Sequence, residues 1–97
     1  MEFIYTDHLR FRLRQRGIPL TTVKEIFAKS QENYWDNLRN HHIVVSKVIY
    51  MGKTRKVLAA YDRISAKAEV ITVHPVSDSE IRQRLTSGRW SYEKNKN

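Results

Sequence analysis

Residues 6–19 read TDHLRFRLRQRGIP and contain the start, the body and the end of one short helix. Thr6 and Asp7 are residue types that cap a helix N-terminus, because a short oxygen-bearing side chain accepts a hydrogen bond from an unpaired first-turn amide. Gly17 suits a left-handed helix end, and Pro19 cannot continue the helix. The pattern therefore predicts a first helix within this stretch.

A row of cationic side chains follows one side of this helix. His8, Arg12 and Arg16 recur every four residues, which places them on one face. Leu9 and Leu13 form the neighbouring apolar strip, so the row borders the surface that has to be buried. Because a charge beside a core is costly unless it meets an opposite charge, the row is a candidate anion site. A solvated face, or pairing with an internal carboxylate, is the alternative interpretation.

The composition indicates one small globular domain. The chain has 97 residues, of which 40% are hydrophobic and 29% charged, which is ordinary for a globular protein. No apolar run is long enough to span a bilayer and the N-terminus has no signal-peptide pattern, so we expect a cytoplasmic protein without a membrane partner. The absence of cysteine excludes disulfides, thiolate nucleophiles and cysteine zinc sites.

The charge balance indicates an anionic partner. Lysine and arginine number 18 against 10 aspartates and glutamates, for a net charge of +8. A small domain with such a charge attracts polyanions, and RNA or another nucleic acid is the expected partner. An acidic protein would satisfy the same field.

The rest of the chain alternates helix signals and strand signals. The predicted elements are a helix over residues 22–30, strands over residues 41–51, 56–61 and 68–74, and a helix from residue 77 to residue 88. Both later helices begin with capping-box spacing, and the strands are rich in branched residues. Residues 2–5 fit a brief strand or an extended lead-in, and residues 31–40 fit a loop or a short strand.

This order predicts an α+β fold. We expect two N-terminal helices, an antiparallel meander of three or four strands and a C-terminal helix that closes over the sheet. Residues 1–88 would form the single domain, and residues 89–97 would form a polar C-terminal tail.

These features together resemble a widespread prokaryotic family of small domains of unknown function. The residues that carry the resemblance are the H-x-x-x-R-x-x-x-R-G-I helix from His8 to Ile18, the helix centred on residues 23–27 and the strand end at residues 70–73. That family is similar in element order to the RelE/ParE toxin superfamily, including its BrnT-like members. The similarity spans roughly residues 3–87.

The resemblance implies an activity and a set of partners. RelE-like toxins are endoribonucleases that act on the ribosome or on free mRNA and are restrained by an antitoxin, whereas ParE-like members act on gyrase with the same fold. An acidic antitoxin protein is therefore an expected partner, and RNA cleavage of this type needs no metal and no cofactor. The fold alone does not decide between these activities, nor whether this chain is an enzyme.

Such cleavage needs cations that stabilise a charged phosphorane and groups that transfer protons. The predicted site residues are Arg12, Arg16, Arg55 and Lys56 as phosphate ligands, and His8, His74 and Tyr61 as catalytic groups. Histidine suits proton transfer because it titrates near neutral pH. No residue spacing predicts a metal site.

Each candidate also has a simpler interpretation. His74, at the end of a strand, is a residue that commonly satisfies local backbone. Arg55 and Lys56 resemble charges that protect a strand edge from pairing. His41 and His42 are adjacent, so in a strand they face opposite ways and cannot both point at one site.

Three hypotheses follow. The first is a RelE/ParE-like toxin or toxin-derived domain that engages RNA through the face of His8, Arg12 and Arg16. The second is a non-catalytic basic module that binds nucleic acid or an acidic protein. The third is a structural subunit whose positive surface maintains solubility.

Overall fold

The computed structural model describes residues 2–93. Within this range the chain forms three helices and six strands. The elements are β1 (Glu2–Tyr5), α1 (Asp7–Arg16), α2 (Leu20–Lys29), β2 (Glu32–Asp36), β3 (His41–Tyr50), β4 (Lys53–Ile64), β5 (Lys67–Pro75), α3 (Asp78–Thr86) and β6 (Trp90–Tyr92). No helix in this range has the length and apolar character needed to cross a bilayer.

All strands belong to one mixed sheet with the order β1-β5-β4-β3-β2-β6. Its centre is an antiparallel meander of β2, β3, β4 and β5. At one edge β1 pairs in parallel with β5, and at the other β6 pairs antiparallel with β2. The predicted α+β class is confirmed. The sheet is larger than the predicted three or four strands because each end of the described chain adds a strand.

Helix α1 begins and ends where the local sequence predicts. The Thr6 Oγ1 atom accepts a hydrogen bond from the Leu9 amide at 3.1 Å. Gly17 adopts a left-handed conformation with φ 67°, and the Ile18 amide returns to the Leu13 carbonyl at 2.9 Å. These two local motifs set the length of α1 without help from distant residues.

Helices cover the two faces of the sheet unequally. Successive strand residues point to opposite faces, so Ala59 and Tyr61 join one core cluster while Leu58 and Ala60 join another. The first cluster lies beneath α1 and α2, whose buried side chains belong to it. On the second face α3 contributes only Ile81 to the fully buried cluster. Part of that face is therefore left open beside α3.

The predicted tail at residues 89–97 is wrong at its start. Trp90 is only 5% exposed and stacks on Tyr34, with ring centroids 5.3 Å apart. The polar sequence concealed this strand because β6 has three residues and is held by pairing with β2, more than fifty positions earlier. Residues 94–97 of the predicted tail lie outside the described residues.

Two other predicted boundaries also shift. Helix α2 begins at Leu20 after Pro19, two residues before the predicted start, because proline is well tolerated at a helix entry. Strand β4 runs from Lys53 to Ile64 and is longer than the predicted residues 56–61. Its extra residues pair with β3 and β5, so tertiary pairing extends the strand through a polar stretch.

Candidate functional site

A cleft opens on the part of the sheet that α3 leaves uncovered. Its volume is about 360 Å³. The floor is mostly apolar and includes Ile43, Leu58, Ala60, Ile71, Val76 and Trp90. The rim is polar and includes Arg16, Arg39, Arg84, Arg89, His41 and His74, together with Asp36 and Glu80. We call this site the arginine cleft.

The carboxylate at one end of the cleft is committed to holding the rim. Asp36 is buried, and its Oδ1 atom accepts hydrogen bonds from the amides of Leu38 at 2.9 Å and Arg39 at 3.1 Å. Its Oδ2 atom lies 3.5 Å from the Arg89 guanidinium. Burial acts to raise the pKa of Asp36, but these backbone hydrogen bonds and Arg89 outweigh it, so the pKa is lowered. Asp36 therefore stays ionised and anchors the turn that carries Arg39.

The carboxylate at the other end is occupied in a helix cap. Glu80 accepts hydrogen bonds from the Ser77 hydroxyl at 3.0 Å and the Ser77 amide at 3.2 Å, completing the capping box of α3. These bonds lower the pKa of Glu80. Four guanidinium groups thus share the described rim with two carboxylates that have other partners, which leaves an excess of positive charge.

Arg16 connects α1 to the cleft around an edge of the sheet. Strand β1 pairs with β5 only as far as Val70. Beyond that point the Val73 carbonyl accepts a hydrogen bond from Arg16 Nη1 at 3.1 Å. One arginine of the predicted row therefore lies in the site, beside the predicted catalytic residue His74.

The other two members of the row lie elsewhere. His8 and Arg12 are exposed on α1 and do not line the arginine cleft. Regular spacing on a short helix placed the three side chains along one face, but only the last turn of α1 reaches the open edge of β5. The structure therefore separates His8 from the groups that share a concave surface.

Lys56, a predicted phosphate ligand, is already paired. Its Nζ atom lies 2.7 Å from Glu32 Oε2 and 2.7 Å from Asp78 Oδ1. Hydrogen bonds to Asp78 and then Glu32 raise the pKa of Lys56, and the same contact lowers the pKa of Asp78. These contacts compensate its charge, so Lys56 is better described as a link between β4, β2 and α3. The neighbouring Arg55 is exposed and lies outside the arginine cleft.

Replacing Lys56 with methionine should therefore lower stability without weakening anion binding. We expect a lower melting temperature at neutral pH, because two carboxylates would face each other without their cation. The difference should shrink as the pH falls through the lowered pKa of Asp78, since a protonated carboxyl no longer needs Lys56. Calorimetry across pH, with RNA affinity measured in parallel, tests this. A loss of affinity greater than about threefold would restore Lys56 as a ligand, because losing a charged hydrogen bond costs about 1.5–3 kcal/mol.

Tyr61, a predicted catalytic group, lies on the opposite face of the sheet. Its ring contacts Phe27 edge-on with centroids 5.0 Å apart and stacks on His42 at 5.1 Å. Tyr61 is 5% exposed, and burial raises the pKa of its hydroxyl. Alternation along β4 explains this position, and the structure does not bring Tyr61 together with His74.

Two histidines lie in the arginine cleft with one ring nitrogen engaged. His74 Nδ1 lies 2.9 Å from the Pro75 carbonyl, the local backbone contact that its strand-end position suggests. His41 Nδ1 lies 2.7 Å from Asp62 Oδ1. Sequence reasoning did not select His41, although its alternation with Ile43 could have placed it on the same face as the cleft floor.

Sequence reasoning also missed three rim arginines. Arg39 lies in the β2–β3 turn, Arg84 on α3 and Arg89 just before β6. They are distant from one another in sequence, so no local spacing could reveal that they meet. Their common feature is position near the end of an element, which is a weak signal by itself.

Two buried donors in the cleft lining have no hydrogen-bond partner among the described residues. They are Arg89 Nε and Trp90 Nε1. Unpaired buried donors are uncommon in proteins. Within residues 2–93 no group of three or more histidine, aspartate or glutamate side chains is placed to hold a metal ion.

Comparison of the chain with protein-family models, with curated proteins and with solved structures yields no match. The geometry of the arginine cleft and the residues of the chain itself are therefore the basis for assigning a function.

Proposed function

We propose that this chain is a RelE/ParE-like toxin or toxin-derived domain that binds RNA phosphates in the arginine cleft and acts as a metal-independent endoribonuclease. The observation that carries the proposal is the set of four guanidinium groups around one concave surface. Arginine forms paired hydrogen bonds with phosphate oxygens and stays charged at all relevant pH values.

The shape of the cleft supports a single-stranded ligand. Its volume of about 360 Å³ lies near the lower end of pockets that enclose small ligands, which span about 300–1,000 Å³. An unstacked base fits such a space, whereas a duplex does not. The apolar floor can receive the face of a base while the neighbouring phosphates reach the rim.

The resemblance of the sequence supports RNA over other polyanions. The helix from His8 to Ile18 matches the family pattern residue by residue, and RNA is the substrate of RelE-like members. On this proposal the protein acts in the cytoplasm and is restrained by an acidic antitoxin. The observed order of two helices, an antiparallel meander and a third helix is compatible with this assignment.

A non-catalytic module that binds an acidic protein is the second candidate. Ile49 and Met51, on either side of the β3–β4 turn, are 73% and 72% exposed. Lys53 follows in the same hairpin. An apolar and basic projection of this kind suits a partner with acidic and apolar side chains.

Fluorescence anisotropy with a labelled single-stranded oligoribonucleotide tests RNA binding. Four phosphate contacts predict that the logarithm of the affinity falls with the logarithm of salt concentration with a slope of about −3, since each contact on a single strand contributes about −0.7. A flat salt dependence, or tighter binding to an acidic peptide than to RNA, would favour the second candidate.

A further inference from the structure

His41 has the surroundings of an oriented proton-transfer group. It begins β3 and lies opposite Asp62 of β4, near the registered pair His42 and Tyr61. The Nδ1 atom of His41 lies 2.7 Å from Asp62 Oδ1, and the two side chains are 23% and 37% exposed. With the carboxylate at Nδ1, the ring carries its proton there and presents Nε2 as an acceptor. No partner of Nε2 is present among residues 2–93.

The adjacent histidine provides an internal comparison. His42 also has a carboxylate partner, with Nδ1 2.7 Å from Glu93 Oε1. Its ring, however, packs against Trp35 and stacks on Tyr61. His42 does not line the arginine cleft, whereas His41 does. Two histidines with the same kind of pair therefore lie in different environments, and only His41 shares a concave surface with the rim arginines.

We propose that His41 is the general base of the RNA cleavage reaction and that Asp62 is its positioning residue. The inference rests on the proposed function, because it requires RNA in the arginine cleft. It differs from the assignment of His8, His74 or Tyr61, none of which combines a carboxylate partner with a place in the cleft.

The reaction balances without a cofactor. His41 Nε2 removes the proton of a ribose 2′-hydroxyl, and the 2′-oxygen forms a bond to the adjacent phosphorus. The bond from phosphorus to the 5′-oxygen of the next nucleotide breaks, and that oxygen takes a proton from solvent water. The products are a 2′,3′-cyclic phosphate and a 5′-hydroxyl end. Arg39, two residues before His41, also lines the cleft and can stabilise the charge that develops on the phosphoryl oxygens.

The test uses the full chain in EDTA with an end-labelled single-stranded oligoribonucleotide, both free and as mRNA on translating ribosomes. We expect His41→Ala to lower kcat by about 10²–10⁴-fold, the usual contribution of a general base. Affinity for a 2′-O-methyl oligoribonucleotide should stay unchanged, because such RNA lacks the reacting hydroxyl. Added imidazole should restore part of the activity of His41→Ala.

Two further variants separate catalysis from folding. Asp62→Asn should lower kcat with little change in KM, because the ring loses its orientation while the rim stays intact. His42→Gln should retain cleavage, since that ring lies outside the cleft. Circular dichroism melting identifies any variant that fails to fold, and imidazole rescue of His41→Ala reports on chemistry that an unfolded protein could not perform.

The outcomes distinguish the inference from the proposed function. RNA binding with cleavage that survives His41→Ala, or with no cleavage on either substrate, would overturn the role of His41 and leave the RNA-binding cleft in place. Absence of RNA binding by the unaltered protein would overturn both. Loss of cleavage in His41→Ala with imidazole rescue and preserved binding would establish the assignment.

Discussion

Replacing Arg39 and Arg84 together with glutamate should weaken the binding of single-stranded RNA by about 100-fold or more. A hydrogen bond to a charged group contributes about 1.5–3 kcal/mol, and each 1.4 kcal/mol is a tenfold change in affinity. The two side chains lie on different elements of the same rim. The salt slope should also become shallower by about two, one for each lost phosphate contact.

A matched variant separates the cleft from the general charge of the protein. Arg14 and Lys24 are exposed on α1 and α2, the helices on the other face of the sheet. Their replacement by glutamate changes the net charge by the same amount. We expect a loss of affinity below about tenfold, because exposed charges act weakly at a distance in salt. Equal losses in the two double variants would mean that RNA binds through the overall field.

Replacing Trp90 with alanine should lower the free energy of unfolding by about 3–5 kcal/mol, the usual cost of removing a large buried aromatic side chain. Trp90 is 5% exposed, stacks on Tyr34 and belongs to the core cluster beneath α3. Urea denaturation followed by circular dichroism measures the change. The loss is large for a domain of this size, whose total stability is about 5–15 kcal/mol.

Tyr92→Ala is the control for this prediction. Tyr92 lies in the same three-residue strand but is 75% exposed, so its replacement should change stability by no more than about 0.5 kcal/mol. If Trp90→Ala were as mild as Tyr92→Ala, residues 90–92 would behave as the polar tail that their sequence suggests, and β6 would not be part of the fold.

The contrast between α1 and β6 shows how much of this fold the sequence reveals. The ends of α1 depend on Thr6 and Gly17, each of which interacts with residues a few positions away. Local physics is visible in a sequence, so both ends were predicted. Strand β6 exists because Trp90 is opposite Asp36 in the register of β2 and β6. Nothing near residue 90 indicates this pairing.

The same distinction applies to the site. Arg16 was a predicted phosphate ligand and lies in the arginine cleft, since the last turn of α1 ends beside the unpaired part of β5. Lys56 had the same local signal, but its partners Glu32 and Asp78 are 24 and 22 positions away. Whether a cation is free or paired depends on such distant carboxylates, which spacing along the chain does not report.

An NMR titration of the isotopically labelled protein with a short single-stranded oligoribonucleotide tests the proposed cleft most directly. The account predicts that the side-chain Nε–Hε signals of Arg16, Arg39, Arg84 and Arg89 shift together and saturate at one equivalent of RNA. The α1 amides near His8 should barely move. Shifts confined to the exposed face of α1, with the four guanidinium signals unchanged, would contradict the account.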